Sequence, residues 1–443
     1  MQQKNFNSGY ILGISFTSAL GGYLFGFDFA VISGALPFLQ QAFGLDEYWE
    51  GFATGSLAIG AIIGCVIAGA IADSHGRRKG LLIAAAIFTL SSLAMAFADS
   101  RWFFISSRCM AGVGVGMASM LSPMYISEIA PAHLRGRLVA INQLTIVLGI
   151  LVTNIVNYSL RNYGTDAWRW MFGLGAVPSG LFFLGALRLP ESPRWLVRAG
   201  HPEKAGQILT KIGGADFAAS SLQSIGKSMG GTTRMNYRDL LNKAVLPSVI
   251  IGIVLAVFQQ LCGINVVFNY TARIFESIGA SQENQLLQTV FIGSVNLVFT
   301  ILAMVLVDRL GRKPLMLIGA AGLTILYVVV VSMLASGSPG VSWFLLAAIG
   351  TYAMTLAPVT WVLISEIFPN MVRSAATSVA VISLWLAYFI LVFTFPVLFS
   401  KLKDSTFYIY AVICLLGILF IWFRVKETKG KTLEELEEVI TVH

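Results

Sequence analysis

Asp73-Ser-His-Gly-Arg-Arg-Lys79 returns later in the chain as Asp308-Arg-Leu-Gly-Arg-Lys313. Outward from this pair, Ser127-Glu-Ile-Ala-Pro-Ala-His-Leu-Arg135 returns as Ser365-Glu-Ile-Phe-Pro-Asn-Met-Val-Arg373, and Glu191-Ser-Pro-Arg194 returns more weakly as Glu427-Thr-Lys429. The offsets are 235, 238 and 236 residues. Three matches at nearly one offset are hard to obtain by chance, so the chain is a duplication with both copies running the same way. Around the repeated charged loops lie apolar runs of about 20 residues, each long enough to cross a bilayer. They fall near 10–40, 51–73, 80–98, 102–128, 136–160, 168–189, 246–275, 285–307, 314–336, 343–366, 374–400 and 405–424. This pattern predicts an all-α membrane protein of twelve transmembrane helices in two six-helix bundles. The expected units are 1–189, a helical linker at 190–245, 246–424, and a tail at 425–443.

Composition agrees. Only 12% of the 443 residues are charged and mean hydropathy is +0.77. A soluble domain carries about 25% charged residues, so a water-facing globule is excluded. The net charge of +8 does not point to nucleic acid, because the basic residues sit in short loops. Arg77, Arg78 and Lys79 form one such group; Arg135 and Arg137, Arg309, Arg312 and Lys313, and Arg424 to Lys431 form others, while the alternate loops are sparse or acidic, as at Asp46, Glu47 and Glu50. Positive charge gathers on the cytoplasmic side, which places both termini there. The first apolar run is long and has no cleavage site, so it reads as a helix and not a signal peptide. Cys65, Cys109, Cys262 and Cys414 lie in apolar runs without metal-ligand spacing and read as packing residues. Within the linker, Pro202-Glu-Lys-Ala205 opens an amphipathic run and Ala219–Thr233 is rich in Ser and Gly, the pattern of short surface helices with a hinge.

Two charges break the apolar pattern. Asp28 lies in Ala19–Leu39, and Arg108 in Trp102–Leu121. A charge at mid-bilayer costs roughly 2.5–3.5 kcal/mol on insertion scales, so it tends to be paired or to line a polar path. Ion or proton coupling follows; a static pair that fixes helix packing is the competing reading. In the repeated loops, Gly76 and Gly311 permit tight turns and the arginines can bridge to carboxylates at nearby helix ends. Asp73, Arg77, Arg78, Glu128, Arg135, Glu191 and Arg194, with Asp308, Arg312, Glu366 and Arg373, form a candidate ionic latch for the cytoplasmic side. Anchoring at headgroups is the plainer alternative.

Phe25-Gly-Phe-Asp-Phe-Ala-Val-Ile-Ser-Gly34, Arg108, Pro190-Glu-Ser-Pro-Arg-Trp-Leu196, Gln259-Gln-Leu-Cys-Gly-Ile-Asn265 and Glu427-Thr-Lys-Gly-Lys-Thr-Leu433 resemble the sugar porter family of the major facilitator superfamily. The resemblance covers nearly the whole chain. It implies that Asp28 is the proton-coupling carboxylate and Arg108 its partner. It also implies sugar contacts from Gln143, Gln259, Gln260, Asn265 and Asn296, with Trp361, Trp385 and Phe25 as aromatic walls. Amides suit neutral hydroxyls because each offers donors and an acceptor. Interhelical hydrogen bonding for the amides, and lipid-interface packing for the tryptophans, are the alternatives. The chain departs from the family pattern at Asn269, where Tyr is common, at Leu384, where many members carry an amide, and at Ala357, Ser74 and Lys426. Ile150 is closer to facilitative members.

The expected activity is symport of a monosaccharide, hexose or pentose, with protons by alternating access. An uncoupled facilitator, a myo-inositol or polyol symporter and a non-transporting sugar sensor remain alternatives. An enzyme is not expected, since no cofactor motif, metal cluster or Ser/His/Asp set is present. The expected partners are a small neutral sugar, protons and the lipid bilayer, with no nucleic acid and no cofactor, in a monomer at a bacterial inner membrane.

Overall fold

The computed structural model describes residues 6–131, 134–229, 240–243, 245–368 and 372–429, without the side chains of 227–229, 307–309, 365, 373 and 374. Twelve helical spans cross the apolar layer. The first five are single helices: α1 (Ser8–Phe43), α2 (Glu47–His75), α3 (Arg77–Ala96), α4 (Arg101–Ile129) and α5 (Arg135–Leu160). The sixth is broken into α6 (Ala167–Gly173) and α7 (Ala176–Arg188). The linker supplies α8 (Pro193–Arg198) and α9 (Pro202–Met229), the latter kinked at Gly213 and Gly214. Span seven is split at Gly263 into α10 (Leu246–Leu261) and α11 (Ile264–Glu276), and spans eight and nine are α12 (Gln282–Leu310) and α13 (Arg312–Ala335). Span ten is α14 (Val341–Met354) and α15 (Leu356–Ile367), broken at Thr355; α16 (Arg373–Leu402) and α17 (Thr406–Arg424) complete the set.

Local chemistry fixes the boundaries. Asn7 caps α1 by accepting from the Tyr10 N–H, Asp46 caps α2 through Trp49, and Ser281 caps α12 through Asn284. Gly44 ends α1 in the left-handed region. Where α2 crosses α4, Gly60 and Gly64 face Cys109 and Val113 while Gly112 and Gly116 face Leu57 and Ala61. Such small-residue spacing lets two backbones touch, the usual means of packing helices where lipid removes the hydrophobic drive.

The halves have one clear polarity. The linker, both ends of the described chain and the repeated charged loops share one face, here the linker face; Phe6 packs edge-on against Phe217 of α9 there. On the opposite, far face, the halves meet: α2 packs on α16, α5 on α12 and α1 on α11. Gly51 lies against the Phe393 carbonyl, Asn154 donates to the Thr289 carbonyl at 2.7 Å, and Arg161 pairs with Glu283 at 2.9 Å. One loop residue needs correction. Glu50 reads with Asp46 and Glu47 as a solvated acidic loop, yet Asp46 caps α2 early enough to put Glu50 inside the helix, 1% exposed.

Candidate substrate and proton site

At mid-span, α1 carries Asp28 and α4 carries Arg108, both 0% exposed. Arg108 Nη1 donates to Asp28 Oδ1 at 3.1 Å and Nη2 to the Asp28 carbonyl at 3.4 Å. The guanidinium carbon lies 5.7 Å from the centre of the Phe172 ring. Asp28 Oδ2 and Arg108 Nε have no partner among the described residues. The pair is therefore one-pronged, and one carboxylate oxygen is left free to take a proton without first breaking the ion pair.

A second cluster is built on the break in span seven. Gly263 sits at φ 87°, which a Cβ disfavours, and it turns the amides of α10 and α11 toward each other. They form a chain. Gln259 Nε2 donates to the Ala357 carbonyl (3.4 Å), Gln260 Nε2 to Gln259 Oε1 (3.2 Å), Asn265 Nδ2 to Gln260 Oε1 (2.5 Å), and Asn269 Nδ2 to the Asn265 carbonyl (2.7 Å). Because residue 357 takes part only through its carbonyl, Ala in place of Gly changes nothing in this bond. The chain ends at Tyr388 of α16, whose hydroxyl donates to Asn269 Oδ1 at 3.1 Å. A phenol absent from position 269 is thus supplied from the facing helix.

Aromatic rings join the two clusters. Tyr388 lies 4.9 Å from Phe29, the residue after Asp28, and Trp385 meets Phe25 edge-on at 5.6 Å. Trp385 is 3% exposed, and Trp361 on α15 is 42% exposed, apart from this seam. Gln143 on α5 and Asn296 on α12 make no internal hydrogen bond among the described residues, so their amides are available to a ligand. Phe29 and Tyr388 are the residues sequence reasoning missed: in an apolar helix each reads as packing, and only the opposition of α1, α11 and α16 reveals their position.

On the linker face each half holds a closed charge network, and the two follow one plan. Arg77 Nη2 binds Glu128 at 3.0 Å, and Arg312 Nη2 binds Glu366 at 3.1 Å. Glu191 accepts from the backbone of Arg77 (2.8 Å), Arg78 (3.2 Å) and Ser192 (2.9 Å); Glu427 accepts from Arg312, Lys313, Thr428 and Lys429. The Ser192 hydroxyl binds Glu128, and the Thr428 hydroxyl binds Glu366 at 2.6 Å. Gly76 (φ 94°) and Gly311 (φ 93°) make the turns, and a Cβ at either would strike the Glu191 or Glu427 carboxylate. Burial pushes the Glu427 carboxyl up, but the four backbone N–H groups outweigh it and hold the group below its ordinary 4.5. Asp73 pairs with Arg198 at 3.0 Å, and Arg78 donates to the carbonyls of Ala186 and Leu187. Arg135 and Arg194 are exposed, with no carboxylate partner among the described residues; Glu128 is taken by Arg77 instead. The side chains of Asp308 and Arg373 lie outside the described residues, as does the tail beyond 429.

Twelve spans in two parallel repeats, with a buried acid–base pair in one half facing an amide ladder in the other, define a membrane transporter of the major facilitator fold. The chain belongs to the sugar (and other) transporter family, whose model matches residues 14–440. It is 41% identical to a glucose transport protein of Synechocystis, over 98% of each chain. It is 39% identical to the D-xylose-proton symporter of Escherichia coli, over 98% of this chain and 96% of that one. The structure of the Escherichia coli xylose transporter in its inward-open conformation superposes with TM-score 0.87 at 38% identity, covering 97% of this chain and all of that one.

Proposed function

We propose that this protein carries a neutral monosaccharide across a bacterial inner membrane by alternating access, in symport with protons, with both termini and the linker in the cytoplasm. The units 1–189 and 246–424 are the two rocking bodies, and 190–245 with 425–443 are their cytoplasmic connectors. The observation that carries the reading is the fully buried, one-pronged Asp28–Arg108 pair, one residue from the ring on which the amide ladder's last member rests. In this reading Gln143, Gln259, Gln260, Asn265, Asn269 and Asn296 present donors and acceptors to sugar hydroxyls. Phe25 and Trp385 cover an apolar sugar face, with Trp361 at the margin. A proton on Asp28 Oδ2 weakens the hold on Arg108, loosens the seam through Phe29 and Tyr388, and permits the halves to rock. Joined at the far face, the halves are in an inward-facing arrangement. The linker-face networks stay closed within each half, while Arg135 and Arg194 remain to reach across when that face shuts.

The names of the symporter and glucose relatives support a sugar as substrate; a uniporter is the second outcome of the test. Purified protein in liposomes is challenged with pentoses, hexoses and inositol while external pH is followed. Symport predicts sugar-driven proton uptake in the wild type, lost in Asp28→Asn while sugar counterflow survives. Sugar exchange without proton movement in the wild type would overturn the coupling.

A further inference from the structure

Glu50 is a buried carboxyl that the proton path through Asp28 does not use. It lies one turn into α2 at the far face, 1% exposed, where α2 meets the other half. Gln40 Nε2 of α1 donates to its Oε2 at 2.9 Å, and Oε1 has no partner among the described residues. The charged groups near it lie on α2, α4 and α11; Arg101 of α4 stands over the ring of neighbouring Trp49, 4.3 Å from its centre, and makes no ion pair with Glu50 among the described residues. Glu47 lies on α2 itself, and Arg273 and Glu276 of α11 act on it electrostatically across the interface. Tyr270 of α11 is nearby but donates to the Val392 carbonyl of α16 at 2.6 Å. From α16, no described charged side chain faces it: Phe393 presents its backbone to Gly51 and its ring to Tyr48 and Phe52. Arg273 is no counter-ion at contact distance, since its ion pair among the described residues is with Glu276 at 3.7 Å.

A buried carboxylate with a single neutral donor is costly, because neither desolvation nor the orphaned oxygen is compensated. The usual benefit of acid in a helix's first turn does not require burial; Asp46 and the more exposed Glu47 already supply it. The remaining way to tolerate Glu50 here is a proton. When the far face opens, α2 leaves α11 and α16, water reaches the group, and the need disappears.

We infer that Glu50 is a second proton-binding site, which takes up a proton as the far face closes and releases it as that face opens. The inference rests on alternating access but not on Asp28. It makes closure proton-linked: carboxylate plus proton gives the neutral acid in the closed state, and the reverse in the open one. If one proton separates the states, the closed-to-open ratio rises by up to tenfold per unit fall in pH.

Hydrogen–deuterium exchange of the full-length protein in lipid nanodiscs tests this, read at 47–55 and 389–393 from pH 5 to 8 and corrected for intrinsic rates. Expected is protection that rises as pH falls in wild type and Glu47→Gln, and is flat in Glu50→Gln. Gln40→Leu, which keeps the carboxyl but removes its donor, moves the midpoint to higher pH. A wild-type profile retained in Glu50→Gln, a flat wild-type profile, or an unmoved midpoint in Gln40→Leu overturns the inference. Since the readout is conformational, its failure is separable from a failure of proton-coupled sugar transport in liposomes.

Discussion

Replacing Arg108 by Met isolates what the buried pair does. Both partners are 0% exposed, and Arg108 Nη1 is the side-chain donor to Asp28. Without it the carboxylate is stranded, and removing one partner of a buried pair costs about 3–5 kcal/mol. Asp28 can escape only by holding a proton. For an acid of ordinary pKa near 3.9 that costs about 1.4 kcal/mol per pH unit above this value, or roughly 4 kcal/mol at pH 7 and about 1.5 at pH 5. The two routes to the number agree at neutral pH, and the second fixes the sign: the loss in Arg108→Met grows as pH rises. Asp28→Asn strands the guanidinium instead, which cannot shed its charge, so its loss is flat with pH. Removing both partners together restores most of the stability, because a buried pair and an apolar replacement are close in free energy. Thermal unfolding of the four proteins in detergent at pH 5 and pH 7 measures this. Additive losses in the double variant, or an Arg108→Met loss equal at both pH values, would refute the reasoning.

Tyr388→Phe keeps the ring on Phe29 but removes the hydroxyl that binds Asn269. A neutral hydrogen bond is worth about 0.5–1.5 kcal/mol, so half-saturation for counterflow rises about two- to tenfold while proton coupling per sugar is unchanged. Glu427 is held below its ordinary value by the backbone of Arg312, Lys429, Lys313 and Thr428 against the opposing push of burial. Its contribution is therefore present above pH 4.5 and lost as pH falls through the lowered value; Glu427→Gln speeds amide exchange at Arg312 and Lys313 at neutral pH and matches wild type in acid. At the α2–α4 crossing, a Cβ on Gly112 would strike the Leu57 carbonyl, and backbone cannot yield as a side chain does. Gly112→Ala costs about 1–3 kcal/mol by overpacking, read as a lower melting temperature; an unchanged one would show that the helices are not in contact there.

The fold was legible because its signals are local and redundant. Apolar run length gives the spans, and the loops at Asp73 and Asp308 give the duplication without knowledge of any long-range contact. Residue types at the site were legible too, since Asp28, Arg108 and the amides around Gly263 are out of place in apolar helices. What escaped depends on register between distant helices. Glu128 lies seven residues from Arg135 in sequence but binds Arg77, because α4 lies beside the α2–α3 turn. Glu50 resembles its loop neighbours until the Asp46 cap decides where α2 begins. Tyr388 carries no mark of its own; it matters because Asn269, on another helix, has an acceptor to fill.

The two halves share a backbone plan but divide the chemistry. Both retain the linker-face network of glycine turn, arginine, glutamate and hydroxyl, so each resists deformation as a body. The acid–base groups Asp28, Arg108 and Glu50 lie in the first half, and the amide ladder lies in the second. A proton and a sugar bound in one rigid half could load independently. With the proposed proton groups in the first half and most of the proposed sugar contacts in the second, Gln143 and Phe25 being the exceptions, the sugar's contacts change when the halves move against each other, and the seam of Phe25 and Phe29 on Trp385 and Tyr388 joins the two. Coupling requires a ligand to distinguish the two global states. On the proposed roles, the proton would do so through charges that the closing interface desolvates, and the sugar through amides that the first half must approach, so neither would need a direct contact with the other.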